Sequence, residues 1–260
     1  MPIIWKASIK RKPKTDKLRK KGYNDALNKL NGQPVAIPFF LDMARKNFDL
    51  IVFDWDGTLM DSTAAIVKSI QASADVLGLP VPDKKDAAHV IGLSLDQAMQ
   101  AVMPGVDPAF YSRLAHHYRY FYLQFSQEIT LFDGVMDMLE DLASRYSLAV
   151  ATGKSRPGLN RVLKETKTAR FFHATRTADE THSKPHPAML QEITQELGEN
   201  MQRTVMIGDT THDLLMASHA GAAGIAVQYG AHPLEELRSL NPLYMAESVT
   251  RLHHWLKDNA

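Results

Sequence analysis

The chain has 260 residues, 45% of them hydrophobic and 23% charged, with a formal net charge of +1. That is enough to bury a sizeable core without covalent staples, and the absence of cysteine excludes a disulfide scaffold, a cysteine nucleophile and any thiolate metal site. No apolar run reaches the roughly 18 residues of a membrane span and residues 1–21 lack the apolar middle of a secretory signal, so the expectation is a cytoplasmic protein with no membrane partner.

In chain order, the first feature is a charge split. Of the 30 basic and 29 acidic side chains, ten and three fall within residues 1–42, leaving twenty and 26 for the rest. A head at +7 precedes a body at −6. Such a head is a nucleic-acid signature, but Gly22, Gly32, Pro34 and Pro38 break any long helix in it. Residues 1–42 read as a basic, dispensable extension with at most a short helix near 25–30, and Met43 as a natural start for the body. Nucleic acid would enter only through that extension.

Order begins near Phe48. Leu50-Ile51-Val52-Phe53 reads as a buried strand. Helices follow at 64–77, 84–90, 95–102 and 108–125, with no convincing strand before residue 131. Then come a helix at 135–142, a strand at 148–151, a helix around 159–163, a fifth strand candidate at 171–174 and a helix at 189–197. A strand at 204–207, a helix ending before Gly221 and a strand at 224–227 complete the pattern. Strands alternating with helices specify an α/β fold, a doubly wound parallel sheet. Residues 61–130 are too long for a loop and read as an inserted all-α subdomain, leaving 43–60 and 131–260 as the core. The stripe Phe110, Leu114, Tyr118, Phe121, Phe125 reads as helix packing.

Chemistry gathers where strands end, the edge at which open α/β sheets bind ligands. Asp54 and Asp56 close the first strand one residue apart, before a turn at Gly57. Alternate strand residues face the same way, so both carboxylates can share a pocket. Two such acids ionise together only beside a cation, and a carboxylate pair suits a nucleophile with a general acid. Thr152-Gly153 offers a hydroxyl and free amides at a turn into a helix, suited to an anion. Lys184 is held among Pro185 and Pro187. Asp209 and Asp213 open a helix and supply hard oxygen ligands of the kind Mg2+ takes. Helix capping would explain one of these two, not both.

This set resembles the haloacid dehalogenase-like superfamily of phosphotransferases. Its four motifs stand in order as Asp54-Trp55-Asp56-Gly57-Thr58, Thr152-Gly153, Lys184-Pro185 and Gly208-Asp209-Thr210-Thr211-His212-Asp213. The resemblance covers residues 48–228, and the helical insert is similar to that of the phosphoglycolate phosphatase and β-phosphoglucomutase subfamily, as is Asp179-Glu180-Thr181. It implies a Rossmann-like core with a helical cap and a Mg2+-dependent phosphatase. The substrate would be a small phosphorylated metabolite, phosphoglycolate-like or a sugar phosphate. It further implies Asp54 as nucleophile forming an aspartyl-phosphate, and Asp56 as acid and then base. Lys184 would steady the phosphate, and Thr152 and Gly153 would bind its oxygens. Mg2+ would lie on Asp54, the Asp56 carbonyl, Asp209 and Asp213. Ile91–Ser94 is the expected cap loop at the site, His212 is given no catalytic role, and Arg113, His116 and Arg119 read as surface residues. Alternatives on the same scaffold are a phosphomutase or a phosphonate hydrolase using a cap lysine (Lys68, Lys84 or Lys85); outside it, a nucleic-acid-binding factor working through residues 1–42.

Overall fold

Each of the four residues of Leu50–Phe53 is fully buried, and they divide between two apolar clusters. Ile51 and Phe53 pack with Met138, Leu142 and Leu252, whereas Leu50 and Val52 pack with Met189, Leu190 and Met216. A strand with helices on both faces needs apolar side chains in both directions, which is why this run shows no polar alternation. Burying each such side chain contributes about 1.5–3 kcal/mol.

The computed structural model describes residues 47–260; the expectations for the basic head, its short helix and Met43 lie outside the described residues. Six parallel strands form one sheet: β1 (Leu50–Phe53), β2 (Ser147–Thr152), β3 (Ala174–Thr177), β4 (Thr204–Gly208), β5 (Ala223–Val227) and β6 (Tyr244–Ala246). Their order is β3-β2-β1-β4-β5-β6. The direction of winding reverses at β1, so the crevice between the carboxyl ends of β1 and its neighbours is where such a sheet binds ligands.

Four helices stand between β1 and β2: α1 (Thr63–Val76), α2 (Lys84–His89), α3 (Leu95–Val102) and α4 (Tyr111–Phe125). They have an apolar cluster of their own, with Ile66, Ile70, Met99, Leu114 and Tyr122 at its centre. The chain leaves the core and returns side by side. Met60 bridges Leu131 in antiparallel fashion, and Asp61 N donates to Thr130 O at 3.1 Å. The remaining helices are α5 (Val135–Ala143), α6 (Arg156–Glu165), α7 (Ala188–Leu197), α8 (Thr211–Ala220), α9 (Leu234–Ser239) and α10 (Val249–Asn259). No helix among the described residues is long and apolar enough to cross a membrane.

Three elements differ from the sequence expectation. The fifth strand lies at 174–177, because Ala169–Phe171 form a 3-10 turn that drops Phe171 into the core. The helix expected from Pro108 opens as a separate 3-10 turn, Pro108–Phe110, and becomes α-helical only at Tyr111. Finally, α9, β6 and α10 carry the sheet past its expected end; Ser248 caps α10 by accepting from Arg251 N at 3.2 Å.

Candidate active site

Asp54 follows the last residue of β1 and is tied to the sheet by its N–H, which donates to Ile207 O of β4 at 2.9 Å. Its side chain and that of Asp56 both line one cavity. Trp55 between them turns the opposite way, fully buried, its Nε1–H reaching Met60 Sδ at 3.2 Å. The alternation expected of extended chain therefore continues past the strand end. Gly57 permits the turn that follows. Its φ is +75°, and a Cβ there would stand 2.1 Å from Asp209 Oδ2.

Asp54, Lys184, Asp209 and Asp213 form a buried charge cluster. Lys184 Nζ lies 2.8 Å from Asp54 Oδ1 and 2.6 Å from Asp213 Oδ1. Asp209 accepts from Thr58 Oγ1 at 2.8 Å and from Ala231 N at 2.7 Å. Asp213 accepts from the amide and hydroxyl of Thr210. Thr210 is the N-cap of α8 and Asp213 its capping-box partner. Capping thus accounts for Asp213 and leaves Asp209 facing the cluster.

Three carboxylates around one ammonium leave the cluster short of positive charge. Burial, above all, pushes Asp54 up from 3.8 to about 7 against the pull of Lys184, with Asp213 adding to the rise. Burial raises Asp209 well above the carboxylate range too, reinforced by Asp54 and Asp213. For Lys184, burial opposes the charge but Asp213 and Asp54 outweigh it, so its pKa rises. Asp54 Oδ2 is buried and meets no hydrogen-bond donor among the described residues. One carboxylate oxygen from each of Asp54, Asp209 and Asp213 lies within 4.8 Å of the other two. Hard oxygen donors, an orphaned buried carboxylate oxygen and excess negative charge together fit a divalent cation such as Mg2+.

Thr152 ends β2, buried, with its Oγ1 accepting from Lys154 N at 3.2 Å. Gly153 follows, and a Cβ on it would lie 2.4 Å from Leu93 O and 2.6 Å from Gly92 O. Only glycine admits this approach. The loop Ile91–Ser94 therefore reaches the site, anchored further by Ser94 N donating to Ser183 Oγ at 2.8 Å.

Sequence reasoning left Lys154 without a role. Its Nζ lies 2.9 Å from Asp56 Oδ1 and 3.1 Å from Tyr122 OH, joining the core to α4. Burial opposes its charge, but Asp56 and Tyr122 raise its pKa nonetheless. Ser62 Oγ donates to Asp56 at 2.5 Å as well. A lysine directly after Thr-Gly was the available signal; its partner on α4 lies 32 residues earlier in the chain and could not be read from spacing.

The helical layer also corrects the aromatic stripe. Of its members, Leu114 is in the helical core, and Tyr118 faces the cavity together with Tyr122. Phe121 stacks on Phe125 at 5.9 Å outside that cluster, and Lys68 Nζ sits 4.1 Å above the Phe125 ring. Arg119 lines the cavity, whereas Arg113, His116, Lys68, Lys84 and Lys85 do not. His212 belongs to a clasp between layers. Its Nε2 and that of His232 each donate to His89 O at 3.1 Å. Thr211 N donates to His232 Nδ1 at 3.1 Å, which fixes the tautomer. Burial foremost lowers both rings, His232 to about 4, so they are neutral donors near pH 7. Within the His89, His212 and His232 group, His89 Nε2 pairs with Glu236 Oε2 at 3.1 Å, while His212 Nε2 and both ring nitrogens of His232 serve the clasp.

Residues 51–227 match the family described as haloacid dehalogenase-like hydrolase. A curated relative, "Probable phosphatase IndB" of Dickeya dadantii, is 32% identical over 78% of this chain and 91% of its own. A "5'-nucleotidase" of Pseudomonas aeruginosa is 32% identical over 80% and 96%. Among solved structures, a haloacid dehalogenase-like family protein from Streptococcus pneumoniae superposes with a TM-score of 0.70 at 26% identity. It covers 80% of this chain and 98% of that one.

Proposed function

The chain belongs to the haloacid dehalogenase-like hydrolases and is a phosphatase of that family, and we propose that it cleaves a phosphorylated small molecule with Mg2+ through an aspartyl-phosphate. The observation that carries this reading is the buried set of Asp54, Lys184, Asp209 and Asp213 at the carboxyl edge of β1 and β4.

In this reading Asp54 Oδ2, the carboxylate oxygen without a donor, attacks phosphorus in line with the leaving oxygen. The new P–O bond to Asp54 forms as the ester P–O bond breaks. Asp56 gives a proton to the departing alkoxide. A water then attacks the aspartyl-phosphate, Asp56 takes its proton, and Asp54 leaves with phosphate released. Thr152 Oγ1 and Gly153 N hold phosphoryl oxygens, and Lys184 balances charge on Asp54 and the phosphoryl group. Asp54, Asp209 and the Asp56 carbonyl would hold Mg2+, with Asp213 beside them fixing Lys184. When bound, the cation supplies the positive charge that this cluster lacks. Lys154 positions Asp56 from the second side.

Residues 61–130 act as the cap over the core, whose described part is 47–60 and 131–260. The loop Ile91–Ser94 is its contact with the phosphate end, and its closure keeps bulk water from the first step.

The test is phosphate release from a panel of esters with Mg2+ and with EDTA. Release that requires the cation supports the reading. A purified, folded protein that releases phosphate from no ester overturns it.

A further inference from the structure

The cavity that begins at Asp54, Asp56 and Thr152 is much larger than a phosphate site requires. It encloses about 520 Å3 and extends into the helical layer. Cavities of this size enclose whole drug-sized ligands. A two-carbon acid or a short polyol attached to the phosphate would leave most of it unfilled.

Beyond the phosphate end the wall is apolar and aromatic: Ile66, Ile70, Leu93, Met99, Tyr118 and Leu123. Leu123 remains 53% exposed at this wall, an apolar side chain left open to a cavity rather than packed away. Lys184 is already matched to Asp54 and Asp213, and Lys154, the lysine on the cavity wall, to Asp56. A second carboxylate close to the phosphate would therefore meet Asp56 and Asp54 rather than an unmatched cation. Arg119 and Arg161 also line the cavity, and the Arg161 guanidinium lies 5.9 Å from the Tyr122 ring. Planar guanidiniums stack on flat rings and donate to the polar atoms at a ring edge.

Resting on the phosphatase reading above, we propose that the substrate is the phosphate ester of a bulky, ring-bearing alcohol. Its ring packs among Ile70, Met99, Tyr118 and Leu123 and its edge meets Arg119 and Arg161. A nucleoside and an aryl alcohol share this chemistry. The phosphoglycolate-like substrate implied by resemblance is too small for this wall.

Steady-state kinetics with Mg2+ tests it directly. The panel is AMP and UMP for the nucleoside arm, 1-naphthyl phosphate for the aryl arm, and 2-phosphoglycolate and glycerol 2-phosphate as small esters. The expected result is a kcat/KM for one ring arm at least tenfold above both small esters, and the winning arm names the source of the ring. In Met99→Trp, which fills the wall, kcat/KM for the ring ester falls at least tenfold while glycerol 2-phosphate stays within threefold. Leu123→Trp, at an exposed position of the wall, gives the same pattern if Met99→Trp does not fold. Small esters turned over as well as ring esters, or an unchanged preference in a folded filled variant, overturn the inference and leave the phosphatase reading intact. No turnover of any ester beyond the Asp54→Asn background overturns both.

Discussion

At the carboxyl edge of the sheet, Asp54, Lys184, Asp209 and Asp213 are fully buried, and each takes its position from a strand end, a helix start or a partner 2.6–2.8 Å away. In the helical layer, Ile70, Met99, Tyr118 and Leu123 are among the groups lining the same cavity, and the polar bonds that tie this layer to the core, Tyr122 to Lys154, Ser94 N to Ser183 and two histidines to His89 O, are made by other residues. One side fixes charges where a phosphoryl group would sit. The other shapes a volume. Charges must be set within tenths of an ångström to act on a transition state, whereas an apolar wall selects by size and tolerates exchange of like for like. On the proposed reading, reaction and selectivity would therefore be encoded in separate parts of the chain.

The hardest test of that separation is at Asp54. Asp54→Asn should lower turnover of every ester by more than about a thousandfold, as expected for loss of a nucleophile. Its urea-unfolding free energy should match or exceed wild type, because an isosteric amide removes a charge that burial opposes. Activity within tenfold of wild type would remove Asp54 from the chemistry.

Lys184→Met should also abolish activity, but with the opposite effect on folding. It strips the ammonium from between Asp54 and Asp213 and leaves two buried carboxylates facing each other. Loss of one partner from a buried pair costs about 3–5 kcal/mol. Urea denaturation in EDTA measures it. A Lys184→Met protein as stable as Asp54→Asn would mean that the cluster is not charge-balanced in the way its geometry indicates.

The same separation governs what the sequence disclosed. The placing of Asp54, Asp56, Thr152, Asp209 and Asp213 along one edge was legible because strand ends are short apolar runs followed by a turn, and a parallel sheet aligns those ends; Lys184 lies in the loop after β3 and was picked out by its motif. The five strands expected lie in the sheet, one of them shifted by three residues because Phe171 packs as a core plug. The partnership of Lys154 with Tyr122 was not legible. It depends on where α4 lands over β2, which follows from how four helices pack and not from a local period. The stripe on α4 was only partly legible for a related reason: Leu114 and Tyr118 pack in the helical layer as expected, but Tyr118 also lines the cavity. Helical spacing says which residues share a face, but not whether that face meets another helix or a cavity, and Tyr118 meets a cavity. The last strand was missed because β6 is only three residues long.

Lys154 belongs to both regions and so shows how tightly they are coupled. Lys154→Met should reduce kcat by about 10–100-fold, less than the full loss of a general acid–base contribution, since among the described residues Asp56 would keep Ser62 as its side-chain partner. The loss should be larger for alkyl esters than for p-nitrophenyl phosphate, whose leaving group needs little proton donation. Lys154→Arg should recover part of it. Tyr122→Phe removes one hydrogen bond from the Lys154 ammonium and should cost about 1.5–3 kcal/mol in stability. An equal loss on good and poor leaving groups would assign Lys154 to the fold and not to Asp56.

The smallest expected effect concerns the metal and pH. Asp54 is raised from 3.8 to about 7, chiefly by burial, so between those values the folded chain holds a proton that the unfolded chain has released. For such a raised carboxyl the contribution to stability is complete below about pH 3.8 and is lost as pH rises through 7. A cation in the cluster replaces the proton and removes that loss. The gain in Tm from Mg2+ over EDTA should therefore grow between pH 5.5 and pH 8, by about 2–4 °C for each kcal/mol recovered. In Asp54→Asn most of that growth should vanish, because the titrating group is gone while the helical layer is unchanged. Differential scanning calorimetry of both proteins at the two pH values measures the gap. A Mg2+ gain that is the same at both values in the wild type would place the cation away from Asp54.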